Sequence, residues 1–200
     1  KYQCRYEWGS TVIFLESDRT PQQISPYQSN PSTSDPWTEK IAPSSNLGGL
    51  KERFKDTRHS IFRKIQSERH RIAQRAEELQ NEGKEFMKLD FPDPLEPFKA
   101  AFNQLLGPKQ LLAPDVKQQK FYYKHEGQNF ELATLSSGEM EVANLVFDLV
   151  LRKPSHSIII FDEPELHLHP ELLTRLIQTL YSIGDKNQFI FSTHSADLIS

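Results

Sequence analysis

Two hundred residues suit one domain or a domain with an insertion, and with 36% of them hydrophobic and 13 of them proline, part of the chain is expected to stay out of any core. A formal net charge of -3 argues for no particular partner, and the single Cys4 excludes an intramolecular disulfide and fits a reducing compartment. No apolar run approaches the roughly 18 to 20 residues that span a bilayer and no signal peptide is visible, so a soluble cytoplasmic protein with no membrane role is expected.

Thr11 to Leu15 is β-rich and reads as a strand ending at Glu16-Ser17-Asp18-Arg19. From Thr20 to Asn46 the chain turns to Pro, Ser, Gln and Asn, with prolines at 21, 26, 31, 36 and 43. That composition predicts a long surface loop, partly disordered, which Trp37 could pin locally. A helix follows from about Leu50 to Leu89. Ile65, Ile72, Leu79 and Phe86 recur every seven residues, with Ile61 and Ala76 on the same side, and Gly83 is placed to break or bend the helix. Between Lys51 and Arg75 nine Lys or Arg face three acids, which fits either a solvated helix face or a nucleic-acid contact without aromatic stacking.

Phe91-Pro92-Asp93-Pro94 ends that helix, because proline lacks the N–H donor and restricts the residue before it. Leu95 to Leu106 reads as a short helix closed by Gly107-Pro108. Lys120 to His125 and Phe130 to Leu132 read as two strands of a hairpin joined by Glu126-Gly127-Gln128-Asn129. Glu139 to Arg152 is an amphipathic helix with Val142, Leu145, Val146, Leu149 and Val150 apolar. Ile158 to Phe161 is a fully apolar strand ending at Asp162-Glu163, of the kind that a parallel sheet buries on both faces. Pro170 to about Ile183 forms another helix, and Gln188 to Phe191 the next strand. Gly138 lies 24 residues before Asp162, and Asp162 lies 32 before His194. Each interval holds one helix and one strand, as repeating parallel β-α units require.

Three short motifs carry chemistry: Leu135-Ser136-Ser137-Gly138-Glu139, Asp162-Glu163 at a strand end, and Ser192-Thr193-His194-Ser195 after the next strand. Ser136, Ser137 and Gly138 open a helix, where unpaired N–H groups and the positive end of the dipole favour an anion. The competing reading is a simple N-capping serine with a tight turn. Adjacent carboxylates at a strand end point to opposite sides, so Asp162 and Glu163 need not compete for one position.

In order and spacing these residues resemble the signature loop, the Walker B strand and the switch histidine of ABC-type ATPases. Glu165-Leu166-His167-Leu168-His169-Pro170 stands where that family has its D-loop. Its form resembles the non-transporter branch: RecF-like, SMC-like and OLD-like ATPases, including those of bacterial antiphage systems. The resemblance implies an α/β P-loop NTPase sheet with a helical insertion, divided as sheet strand over 1–19, Pro/Ser-rich loop over 20–49, helical insertion over 50–117, and signature-to-switch core over 118–200.

It further implies ATP and Mg²⁺ as ligands and a head-to-tail homodimer, with DNA or RNA and an effector nuclease subunit as further partners. Asp162 would hold Mg²⁺, Glu163 would orient and polarise the attacking water, and His194 would contact the γ-phosphate. Ser136, Ser137, Gly138 and Glu139 would clamp the nucleotide of the partner subunit, and Arg19 could reach the same interface. No Gly-x-x-x-x-Gly-Lys-Ser/Thr occurs, so the loop that cradles the α- and β-phosphates is absent. The chain also opens on Lys1 and stops at Ser200 just after a strand, so it is expected to be a fragment that binds ATP weakly by itself; a degenerate protein that lost the loop is the alternative.

Two rival functions use the same residues. Asp162, Glu163, Glu165, His167, His169 and His194 could be ligands of a metal hydrolase, although Pro164 and Pro170 argue for a turn there. A slow ATP-gated module serving a partner nuclease would share every site residue with a fast ATPase.

Overall fold

A computed structural model describes residues 12–17, 50–81 and 93–195. The Pro/Ser-rich segment, Arg19, Trp37, Gly83 and Phe86 lie outside the described residues. In chain order the elements are β1 (Val12–Leu15), α1 (Leu50–Asn81), α2 (Glu96–Leu106), β2 (Gln110–Leu111), β3 (Tyr122–His125), β4 (Gln128–Glu131), a 3-10 turn (Leu132–Thr134), α3 (Ser137–Arg152), β5 (Ile158–Asp162), α4 (Pro170–Tyr181) and β6 (Gln188–Ser192).

β1, β5 and β6 form a parallel sheet in the order β1-β5-β6, with Leu15 opposite Phe161 and Phe161 opposite Phe191. Side chains alternate across a strand. One face therefore buries Ile13, Leu15, Ile159 and Phe161 in the core, while Val12, Phe14, Ile158 and Ile190 on the other are exposed. The starts of β5 and β6 are tied by Asn187, whose Oδ1 accepts from Ser157 N at 3.1 Å and whose Nδ2 donates to Pro154 O at 2.8 Å. Gly184 lies in the same corner at φ +78, and a Cβ there would sit 2.0 Å from the Pro154 carbonyl oxygen.

The core sits around α3. Every residue from Glu141 to Leu151 is buried, so the expected amphipathic helix is in fact covered all round, by α1, α2 and α4 and by the inner sheet face. Full enclosure explains how an apolar run on a helix can lack a polar stripe. Its polar residues are answered inside: Asp148, fully buried, accepts from Arg152 Nε at 2.9 and 3.0 Å and from the Thr57 hydroxyl at 2.9 Å. That last bond ties α1 to α3. Phe98, Phe102, Phe121 and Phe147 pack ring on ring between α2, α3 and the second sheet, at centroid distances of 5.7 to 6.2 Å.

The heptad stripe on α1 is buried only at Ile61 and Ile65, joined by Phe62, and Ile72, Ala76 and Leu79 are half-exposed. Within its basic stretch, Arg71 pairs with Glu68, and Arg75 pairs with Glu78, each at 2.7 Å. These are surface pairs one helical turn apart.

β2, β3 and β4 make a small antiparallel sheet. Its hairpin turns on two residues, Glu126 (φ 48) and Gly127 (φ 80), rather than on the four expected from the sequence. Both central residues are left-handed, the condition for the tight turn whose twist matches its strands. β4 consequently begins at Gln128, and Leu132 leaves the strand to open the 3-10 turn that delivers the chain to α3.

Candidate functional site

β5 and β6 run parallel in register, Asp162 opposite Ser192. Their C-terminal ends, where α/β sheets bind ligands, therefore lie side by side. The N–H of Glu163 donates to Ser192 O at 2.8 Å, extending the ladder by one bond. His194 Nε2 stands 3.5 Å from Glu163 Oε1, with the imidazole 90% exposed and the carboxylate 34% exposed. Asp162, Glu163 and His194 are thus brought together at one sheet edge. The alternation rule does not govern Glu163, however: β5 ends at Asp162, and Glu163 is left-handed at φ 44. A non-glycine residue there is held against its own preference by its surroundings.

The segment from Glu163 to His169 makes two successive tight turns, Leu166 N to Glu163 O at 3.1 Å and Leu168 N to Glu165 O at 3.0 Å. It is not a strand. His167 is a second left-handed residue, at φ 63. His169 caps α4, its Nδ1 accepting from Glu171 N at 3.4 Å. Among the described residues no three His, Cys, Asp or Glu side chains converge as metal ligands, which leaves the metal-hydrolase reading without a site.

Glu165 is the polar centre of this loop. Its Oε1 accepts from the backbone N–H of His194 at 2.7 Å and of Ser195 at 3.1 Å. Its Oε2 is buried and has no hydrogen-bond partner among the described residues. Burial pushes the carboxyl pKa up, but hydrogen bonds from its own N–H, His194, Thr193 and Ser195 outweigh that and hold it below the ordinary glutamate value.

Ser136 to Glu139 form a separate group. Ser136 is the N-cap of α3 in a complete capping box: Glu139 N donates to Ser136 Oγ at 3.4 Å, and Ser136 N donates to Glu139 Oε2 at 3.2 Å. The Ser136 hydroxyl donates to the same carboxylate at 3.1 Å. The capping reading is therefore the observed state of Ser136, and its hydroxyl is engaged within the box. Ser137 and Gly138 occupy the first turn, where N–H groups have no intrahelical acceptor. Gly138 has a packing reason as well, since a Cβ there would meet the His167 carbonyl oxygen at 3.0 Å and Leu168 Cδ2 at 3.4 Å. The loop after β5 thus rests directly on the start of α3.

Two cations border this second group, neither of them marked by any motif in the sequence. Lys109 Nζ pairs with Glu139 Oε1 at 2.5 Å and lies 5.7 Å from the centre of the Tyr123 ring. Burial raises the Glu139 carboxyl, yet bonding to Lys109 and Ser136 dominates and leaves its pKa below the ordinary value. Arg175 donates to the Gly107 carbonyl and pairs with Glu171 at 2.7 Å. With Ser136, Ser137, Gly138 and His167 they line an open cleft of about 620 Å³. Asp162, Glu163 and His194 do not line it, so the two groups of residues face different ground.

No helix among the described residues is long and apolar enough to cross a membrane. Relatives of the chain occur in phages and in a bacterium. Protein ea59 of Escherichia phage lambda is 36% identical over 43% of this chain and 16% of its own length. The Retron Vc95 probable ATPase of Vibrio cholerae serotype O1 biovar El Tor is 36% identical over 34% of the chain and 16% of its own. The Old nuclease of Escherichia phage P2 is 41% identical over 24% of the chain and 8% of its own. The chain therefore spans less than a fifth of the length of these curated relatives. A family model described as "AAA domain, putative AbiEii toxin, Type IV TA system" matches residues 8–200, and with the parallel α/β sheet of a P-loop NTPase the chain belongs to that family of AAA domains.

Proposed function

We propose that this chain contributes two half-sites to an ATPase that works as a head-to-tail dimer. The observation that carries the reading is the pairing of Glu163 with His194 at 3.5 Å on neighbouring parallel strand ends, beside Asp162, while Ser136 to Glu139 face a different cleft. The two groups line different surfaces of one chain, and two chains related by a twofold axis would bring one group of each onto a shared nucleotide. The chain has no phosphate-cradling Gly-x-x-x-x-Gly-Lys-Ser/Thr, and the proposed activity draws that loop from sequence beyond these 200 residues.

In this reading the Glu163 carboxylate accepts a hydrogen bond from the attacking water and orients it, and His194 donates to the γ-phosphate. Asp162 is the residue that would hold Mg²⁺, which supplies charge neutralisation when bound; one protein carboxylate plus substrate phosphates and water is an ordinary ligand set for that ion. From the other chain the N–H groups of Ser137 and Gly138 and the Ser137 hydroxyl close on the γ-phosphate, adding the dipole of a 16-residue helix. Relatives named as a retron probable ATPase and as a nuclease support a process on nucleic acid, such as DNA repair or antiphage defence, for which DNA or RNA and an effector nuclease are the proposed partners and the cytoplasm the proposed location. A slow ATP gate for such a nuclease is the same chemistry at a lower rate.

A mixing experiment tests the shared site. Glu163→Gln and Ser137→Arg full-length proteins are each expected to be inactive in ATP hydrolysis. Mixed, they form dimers in which one site joins an intact Glu163 to an intact Ser137, so turnover reappears. Inactivity of the mixture, with subunit exchange verified, contradicts the head-to-tail arrangement.

A further inference from the structure

We propose that Glu165 is a positioning residue for His194: its carboxylate holds the backbone after β6 in the shape that presents the imidazole to Glu163. The inference rests on the reading of His194 given above and assigns the residue that sets its geometry.

His194 itself has little to hold it. Its side chain is 90% exposed, and it follows the end of β6 by two residues, past the last ladder bond from Glu163 N to Ser192 O. An exposed side chain on an untethered loop would sample many rotamers, at a cost in productive geometry. The tether comes from the neighbouring loop. Two consecutive N–H groups, of His194 and Ser195, converge on Glu165 Oε1 at 2.7 and 3.1 Å, and Ser195 N also donates to Thr193 Oγ1 at 2.9 Å. A carboxylate chelating successive backbone donors is a charge-assisted arrangement that fixes the dihedrals between them.

Glu165 is itself well placed to act as an anchor. It sits in the paired turns that run from left-handed Glu163 to left-handed His167. Pro164 before it is buried, and the His167 carbonyl beyond it packs on Gly138. The position of the β6 loop is thereby referred to the same loop that touches the start of α3. Movement of His194 on loss of the γ-phosphate would pull on Glu165 and reach the Ser137–Gly138 surface through one short segment.

The test combines exchange and kinetics in the full-length protein. In the nucleotide-free protein, Glu165→Ala should accelerate amide hydrogen exchange at His194 and Ser195 on the order of tenfold or more, and Glu165→Gln, which keeps an acceptor oxygen, should largely retain protection. In steady-state hydrolysis Glu165→Ala should lower kcat on the order of 10- to 100-fold with KM for ATP little changed. Made in a His194→Ala background, it should lower kcat no further. Glu165→Asp, whose side chain is one methylene too short to bring an oxygen to the two N–H groups, gives the same comparison if the alanine variant does not fold.

Unchanged exchange at His194 and Ser195, or effects of Glu165→Ala and His194→Ala that multiply, overturns the positioning role. Glu163→Gln separates this from the parent reading. Its loss of turnover together with a wild-type kcat for Glu165→Ala defeats the present inference alone, while wild-type turnover in Glu163→Gln defeats both.

Discussion

Asp148 offers the sharpest test of how the helical layer is joined to the core. Its carboxylate is fully buried and receives Arg152 Nε twice and the Thr57 hydroxyl once, so one side chain links two turns of α3 and fastens α1 across it. Asp148→Ala removes the only member of this trio that carries negative charge, leaving Arg152, 20% exposed, without that partner. Removing one member of a buried ion pair typically costs about 3 to 5 kcal/mol. Arg152 can turn its head toward water through its exposed fifth, which argues for the lower end, about 3 kcal/mol. With an m-value of about 2 kcal/mol/M the urea midpoint should fall by about 1.5 M. Equilibrium unfolding followed by far-UV circular dichroism measures it.

The same reasoning requires an asymmetry. Thr57→Val should cost only about 1 kcal/mol, because it removes one bond and leaves the ion pair. Replacing all three together by apolar residues of similar size (Thr57→Val, Asp148→Leu, Arg152→Met) should recover much of the loss, since Arg152 is then no longer left as a charge without Asp148. A midpoint shift below about 0.3 M for Asp148→Ala would refute the trio as the link between α1 and α3.

Gly184→Ala should destabilise strongly, because an alanine at φ +78 costs about 1 to 2 kcal/mol and its Cβ would lie 2.0 Å from the Pro154 carbonyl oxygen; thermal unfolding checks it, and a wild-type midpoint would contradict the geometry. Acid should weaken the start of α3 in a defined direction. Glu139 titrates below its ordinary value, so its contribution is full above the unfolded pKa of about 4.3 and disappears as pH falls through the lower folded value. The stability gap between wild type and Glu139→Gln should therefore be constant at neutral pH and close in acid. A gap that widens on acidification would reverse the assigned sign.

Much of the sheet and its helices was legible in the sequence because the signals are local. Ile158 to Phe161 has the unbroken apolar run of a parallel strand, although only its Ile159–Phe161 face is buried rather than both faces as that run predicts; Pro170 sits at the first position of α4, and Ser136 with Glu139 three residues on has capping-box spacing. What stayed hidden depends on tertiary context. Nothing in Phe161-Asp162-Glu163 reveals that Glu163 turns left-handed, because that conformation is imposed by the bond to Ser192 and the turns that follow. Lys109 is an isolated lysine until the chain brings it to Glu139, 30 residues away. Gly138 opens a helix in the sequence, but the loop that its missing Cβ admits is visible only in the folded chain. Likewise the polar positions of α3 suggest an exposed stripe, yet Asp148 is buried, answered by Thr57 on α1 and by Arg152 on α3 itself.

The most direct measurement is steady-state ATP hydrolysis by the full-length polypeptide, wild type beside Glu163→Gln, with nucleotide binding recorded in parallel. The expected result is binding retained and turnover reduced by at least about 100-fold, since the carboxamide could no longer polarise the water that Glu163 is proposed to orient. Turnover equal to wild type would contradict the assignment of Glu163, and with it the reading of the Asp162–Glu163–His194 edge as a hydrolytic centre.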